Sequence, residues 1–259
     1  MPDAGLRHVE HVMGTVFSFD VRTPPTPEIR AALTAAVAWL HRVDAVFSPY
    51  RPDSQISRLR DGTLTLADCD RDVRDVLDRC AALGAETGGR FTASPGGRLD
   101  PSGLVKGWAV EHASALLHRA GAPDHCVNGG GDVRARGGPA PDQPWRVGIT
   151  DPADRTRLAA VVEGRDLAVA TSGTAERGLH IVDPATGRPA TALRSITVVG
   201  RDLTRTDALA TALFAMGDEA RPWLAARPAP HAYALTASGR AWATPGWHLE
   251  NGVPHLRLT

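Results

Sequence analysis

The order in which two kinds of periodicity follow one another constrains this chain most. After a short alternating strand at Val16 to Val21, apolar residues recur at helical spacing: Ile29, Leu33, Val37, Leu40, Val43 and Phe47 form one stripe between Pro27 and the Ser48-Pro49 stop. Val73, Val76, Leu77, Cys80 and Leu83 repeat the pattern over Asp70 to Ala85, before Gly88-Gly89, and Leu104 to Ala120 makes a third helix closed by Gly121. From Cys126 onward the pattern changes to short β runs: Trp145 to Thr150, Leu158 to Val162, Leu167 to Ala170, Ile181 to Val182 and Ser195 to Val199. Gly, Pro and Asp turns part them, and a fourth helix spans Asp207 to Met216. Elements segregated in this way predict an α+β fold with mixed, largely antiparallel sheets rather than a doubly wound parallel sheet. No internal repeat is visible, and the turn-rich stretches 137–144 and 227–230 are too short for linkers. Residues 1–259 are therefore expected to form one compact unit, bilobal or undivided.

Charge excludes one class of partner. The 29 Lys and Arg residues balance 29 Asp and Glu, so the electrostatic footprint of a nucleic-acid binder is missing and none is expected as a partner. Cys69, Cys80 and Cys126 are odd in number and widely spaced, which reads as core thiols in a reducing compartment rather than a disulfide framework or zinc site. The first residues lack the basic start and apolar run of a secretory signal, and no stretch reaches transmembrane length, so a cytoplasmic location is expected. All the basic residues but one are arginine; the exception is Lys106. A compact ammonium in a Gly-rich stretch and a chance survivor of arginine-biased codon usage are both open readings.

Four segments carry candidate chemistry. Asp207 and Thr211 are four apart and share a helical face among alanines and Phe214; a carboxylate and hydroxyl there suit Mg²⁺, while Asp207 as a helix cap is the competing reading. Asn128-Gly129-Gly130-Gly131-Asp132 could bring backbone N–H groups to a phosphate or form a tight hairpin, and the two are compatible. Asp100-Pro101-Ser102-Gly103-Leu104-Val105-Lys106-Gly107 leads into a helix N-terminus, where amides and Lys106 favour an anion. It fits neither a Walker loop nor S-x-x-K. His180 starts a short strand ending in an Asp-Pro turn and could serve as acid, base or phosphate donor, or lie on the surface with no chemical task. A Ser172/His180/Asp207 triad lacks the G-x-S-x-G elbow, and His8 and His11 point to opposite faces of a strand, so neither is pursued.

Taken in order, Met13-Gly14-Thr15, Phe47 to Ser54, Asp100 to Gly107, Asn128 to Asp132, Thr171-Ser172-Gly173, His180 to Gly187 and Asp207 to Thr211 resemble the ApbE family of flavin transferases. The resemblance implies an ApbE-like, T-fold-related fold and transfer of the FMN half of FAD, with AMP leaving, to a threonine hydroxyl of an acceptor flavoprotein. It implies FAD as substrate and Mg²⁺ as cofactor, the metal held by Asp207, Thr211 and the Gly103 carbonyl. Its FAD contacts fall on Met13, Tyr50, Phe91, Thr92, Asp100, Lys106, Asn128, Ser172, Gly173, His180 and Ile181, and its catalytic groups on His180, Asp207 and Lys106. His180 would either accept the threonine proton or steady a phosphate oxygen. The chain departs from the usual pattern at Gly89-Arg90-Phe91-Thr92, where Thr92 replaces an aspartate and Asp100 follows almost at once; the stretch from Ser172 to His180 is also short. A more open wall leaves two other readings: a Mg²⁺-dependent FAD pyrophosphatase giving FMN and AMP, and a non-catalytic FAD-binding protein.

Overall fold

Both faces of the central strands are covered, and this explains their sequences. In the computed structural model, which describes residues 5–175, 178–227 and 229–258, an eight-stranded sheet runs in the order β1 (Leu6–Val12), β2 (Thr15–Val21), β3 (His125–Gly129), β4 (Asp132–Arg136), β7 (Asp166–Gly173), β10 (Leu193–Gly200), β11 (His231–Thr236), β12 (Ala241–Ala243). Every neighbouring pair in it is antiparallel. A four-stranded sheet has the order β13 (Trp247–Glu250), β14 (Val253–Leu258), β6 (Asp154–Gly164), β5 (Trp145–Asp151), with β14 and β6 parallel. A small hairpin joins β8 (Val182–Asp183) to β9 (Arg188–Pro189).

Alternate residues of β7 face opposite layers. Ala168 and Ala170 pack under the helices, while Leu167 and Val169 pack toward the four-stranded sheet with Trp145, Ile149, Val162 and Leu256. Ala232 and Ala234 of β11 face the helices and Tyr233 the small sheet. The helical layer consists of α1 (Pro27–Phe47), α2 (Gln55–Arg60), α3 (Arg71–Glu86), α4 (Ser102–Arg119), α5 (Leu203–Met216) and α6 (Ala220–Ala225). The expected α+β architecture is what the chain adopts, and among the described residues no helix is long and apolar enough to cross a membrane.

Two helix starts differ from expectation by two residues or more. The fourth helix begins at Leu203, not Asp207: Asp202 is the cap, its Oδ1 accepting the Arg205 N–H at 2.9 Å. Asp207 thus lies in the second turn, buried, and has no capping task. The third predicted helix starts two residues early, at Ser102, whose N–H donates to Asp100 Oδ1 at 3.0 Å. That bond puts Ser102 and Gly103 inside the first turn.

Candidate functional site

α4 and α5 lie antiparallel against each other, and their contacts repeat every four residues. Gly103 abuts Thr211: a β-carbon there would stand 3.3 Å from Thr211 Cγ2 and 3.5 Å from its Oγ1. One turn on, the Gly107 N–H donates to Asp207 Oδ2 at 2.8 Å, and one turn further the Leu203 N–H donates to Glu111 Oε2 at 2.8 Å. In a helix the Gly107 N–H also points at the Gly103 carbonyl, so the Asp207 carboxylate lies beside that oxygen. Only glycine allows this approach, since a β-carbon on Gly107 would be 2.6 Å from Asp207 Cβ and closer still to the Leu203 carbonyl oxygen.

The lone lysine sits at this junction. Lys106 pairs with Asp132 at the start of β4, and its Nζ is 3.6 Å from Asp207 Oδ2. Asp132 is 2% exposed and Asp207 5%, so both need the ammonium and the amides they accept; Asp132 Oδ1 also takes the Thr171 N–H at 3.1 Å. Two carboxylates and one ammonium leave a formal charge of minus one. Thr211 Oγ1 and Ser172 Oγ are 3.5 Å apart on the neighbouring wall. Asp132 belongs to the cluster although sequence reasoning gave it no role; its place at the end of the glycine run was the available signal.

This cluster forms part of the lining of a cleft of about 1200 Å³ between the helices, the ends of β4, β7 and β10, and β5. Lys106, Gly103, Asp207, Thr211, Ser172, Gly173, Asn128, Asp100, Tyr50, Phe91, Thr92, His180 and Ile181 all line it. Met13 does not. It occupies the β1–β2 turn with φ of 56° and packs on the main core, while its neighbours Gly14 and Thr15 reach the cleft. Asn128 Oδ1 accepts the Gly131 N–H at 2.8 Å, closing a hairpin in which Gly130 and Gly131 both have positive φ. The glycine run is therefore a tight turn and a cleft wall at once. Phe91 is buried as a wall residue, whereas the Tyr50 ring is 89% exposed at the rim.

His180 is also exposed, and its Nδ1 lies 3.1 Å from the Gly178 carbonyl oxygen. A carbonyl only accepts, so Nδ1 is the donor in this contact, and in the tautomer with a single proton the lone pair is on Nε2. The Ile181 carbonyl is taken by the Ala190 N–H at 2.9 Å. Arg90, in the lining but not foreseen, bridges Asp183 Oδ1 at 3.1 Å and Glu219 Oε2 at 2.6 Å, tying the β8–β9 hairpin to the turn after α5. Cys126 borders the cleft too, but burial pushes its thiol up to about 12, which removes it as a nucleophile.

The donor set fits a hard divalent cation. Among the described residues no three His, Cys, Asp or Glu side chains form a group that could hold a metal ion. One carboxylate, one hydroxyl and one main-chain carbonyl supply oxygens alone, and Mg²⁺ is commonly held by one or two carboxylates with its other positions given to water and phosphate. The negative formal charge of the Lys106, Asp132 and Asp207 group favours such an ion, and the combined positive charge then favours a diphosphate.

The ApbE family model matches residues 13–97 and 92–235. An FAD:protein FMN transferase of Vibrio cholerae is 35% identical over 131 residues, 47% of this chain and 39% of that protein. One from Rhodobacter capsulatus is 36% identical over 163 residues, 60% of this chain and 31% of its own length. The matched stretches thus span less than half of these relatives. Among solved structures, the ApbE protein of Thermotoga maritima superposes with a TM-score of 0.83 at 22% identity, covering 93% of this chain and 97% of that one. The flavin transferase ApbE of Vibrio cholerae gives 0.79 at 23% identity with the same coverage. At such identity these superpositions speak for the fold, and with the family model matched over most of its length, the chain belongs to the ApbE family.

Proposed function

We propose that this chain transfers the FMN half of FAD to a threonine hydroxyl of an acceptor flavoprotein, with AMP as leaving group and Mg²⁺ at the reacting diphosphate. The observation that carries the reading is the α4–α5 junction, where Gly103, Asp207 and Thr211 bring three oxygen donors and Lys106 to one wall of the cleft. The cleft of about 1200 Å³ exceeds the usual range for a single small ligand, roughly 300–1000 Å³, and so has room for FAD and an acceptor segment.

Phosphoryl transfer asks the protein for alignment and charge neutralisation more than for covalent chemistry. Held by Asp207, Thr211 and the Gly103 carbonyl, Mg²⁺ would supply charge neutralisation at the diphosphate. Lys106, steered by Asp132 and Asp207, adds a fixed positive group to the same wall. His180, with Nδ1–H committed to the Gly178 carbonyl, has Nε2 available to take the threonine proton. The threonine oxygen bonds to the FMN phosphorus, the anhydride P–O bond breaks, and its electron pair leaves with AMP. Phe91 and Tyr50 supply aromatic surface to the cleft lining, which suits the flavin ring.

The test is incubation of the protein with FAD, Mg²⁺ and candidate threonine-bearing flavoproteins, followed by intact-mass measurement of the acceptor and chromatography of nucleotides. A gain of one FMN with equimolar AMP supports transfer. Free FMN and AMP with no adduct identifies a pyrophosphatase, a reading favoured by the exposure of Tyr50 and His180. Bound FAD with neither product identifies a binding protein.

A further inference from the structure

Glu111 lies outside the cleft lining yet terminates the four-residue ladder that fixes α4 against α5. Its Oε2 accepts the Leu203 N–H at 2.8 Å, and its Oε1 accepts Arg134 Nε at 3.0 Å and Arg136 Nη2 at 3.1 Å. Arg134 is 2% exposed and is itself held by Asp166 Oδ1 at 2.6 Å and the Leu167 carbonyl at 3.2 Å. The carboxylate is therefore tied to β4 and β7 on one side and to the first amide of α5 on the other. One turn along, the roles reverse: α4 gives the amide, Gly107, and α5 gives the carboxylate, Asp207. Two such bonds of opposite sense, four residues apart on each helix, leave no freedom for the helices to slide. A slide of one residue would carry Asp207 about 1.5 Å along the axis, away from the Gly103 carbonyl.

From this geometry we infer that Glu111 is a positioning residue for the metal donors: by holding the first amide of α5 it sets the register in which Gly103, Asp207 and Thr211 face one another. The inference rests on the proposed metal site and adds to it a residue that touches neither metal nor substrate. Its signature is selective. Loss of the Glu111–Leu203 bond weakens divalent-ion binding, whereas loss of stability elsewhere on α4 does not.

The experiment uses the full chain with Mn²⁺ alone, no FAD present, read by the paramagnetic resonance signal of free Mn²⁺, with urea unfolding in parallel. Glu111→Ala is expected to weaken Mn²⁺ affinity about tenfold, the low end of what losing an outer hydrogen-bond partner costs a metal site. Leu117→Ala empties a fully buried position on the same helix beyond the ladder and is expected to lower stability while keeping Mn²⁺ affinity. Glu111→Asp keeps the charge near Arg134 but withdraws from α5 and should weaken Mn²⁺ binding as the alanine variant does; it decides the matter if the alanine variant does not fold. The inference is overturned if Glu111→Ala or Glu111→Asp binds as the wild type does, or if Leu117→Ala loses as much. A wild type that binds no Mn²⁺ overturns the metal site along with the inference. If Mn²⁺ binding responds to Glu111 but FMN transfer is never seen, the positioning role stands and the transfer reading falls.

Discussion

Gly107→Ala probes the helix contact on which the site depends. The added β-carbon would stand 2.6 Å from Asp207 Cβ, against about 3.5–4.0 Å for carbon atoms in ordinary contact. The Leu203 carbonyl on the same side is backbone and cannot rotate away, so α5 has to retreat by about 1 Å. Overpacking of this kind costs roughly 1–3 kcal/mol, and the better helix propensity of alanine returns up to about 1 kcal/mol. For a chain of this size each kcal/mol moves the melting temperature by about 2–4 °C, so a fall of only a few degrees is expected. The effect on chemistry is far larger, because a misplacement near 1 Å in a positioning group can cost on the order of 100-fold in rate. The assay pairs scanning calorimetry with the rate of AMP release at saturating FAD and Mg²⁺. A variant that melts like the wild type and turns over at the wild-type rate would refute the close approach of the two helices. One whose rate falls only as far as its folded fraction would refute the link from that approach to catalysis.

Three further outcomes follow from the same structure. Asp207→Ala should abolish Mg²⁺-dependent turnover while FAD still binds in EDTA, as flavin fluorescence quenching will show; turnover that survives removes Asp207 from the site. Lys106→Met leaves Asp132, 2% exposed, without its cation, and breaking a buried pair from one side costs about 3–5 kcal/mol. Adding Asp132→Asn should restore much of that loss in urea unfolding, and a double variant no more stable than the single would deny the pairing. His125 is fully buried, its Nδ1–H donating to the Ala122 carbonyl and its Nε2 accepting from Ser114, both at 2.7 Å. Burial outweighs the carbonyl's help and lowers its pKa from 6.5 to about 4. Between those values the unfolded chain takes up a proton that the fold refuses, so stability present above pH 6.5 declines as the pH is lowered toward 4, by about 3 kcal/mol in all. Urea unfolding across that range should show the decline for the wild type and a flatter profile for His125→Gln; equal slopes would refute the neutral buried ring.

What the sequence revealed and what it hid divide along a physical line. Stripes at helical spacing mark faces packed on one side only, so α1 and α3 were legible to within a residue or so: Ile29, Leu40, Val43 and Phe47 are buried as their spacing predicts. α5 has no stripe to read, because it is buried nearly all round, and its start was misplaced by four residues although Asp202 stood there as a cap. The β runs were visible but their partners were not. Strands β7 and β10 are covered on both faces and read as near-continuous apolar runs, so nothing in them announces that β7 lies between β4 and β10. The parallel pairing of β14 with β6 joins segments about ninety residues apart, a matter of tertiary packing alone.

The candidate site shows the same division within a single pair of helices. Asp207 and Thr211 were legible as one face because they belong to one helix, and Gly103, Lys106 and Gly107 as one turn because they belong to another. The register between the two was encoded in residues with no chemical signature of their own: Gly107, which lets the backbones meet, and Glu111, which anchors the far end. Each step of four residues down α4 meets a step of four up α5, so the contact pattern is as periodic as any apolar stripe, yet periodicity analysis confined to one element cannot see it. Two segments with small or amide-capping residues at a matched spacing of four, one of them glycine-bearing and the other acidic, are the sequence counterpart of this contact. A one-residue insertion turns everything beyond it by about 100° and α5 is buried nearly all round, so lengthening either helix between the first and last of these contacts, at 105 in α4 or 209 in α5, is expected to lower Mn²⁺ affinity and the urea midpoint together; a variant that keeps both would deny the register.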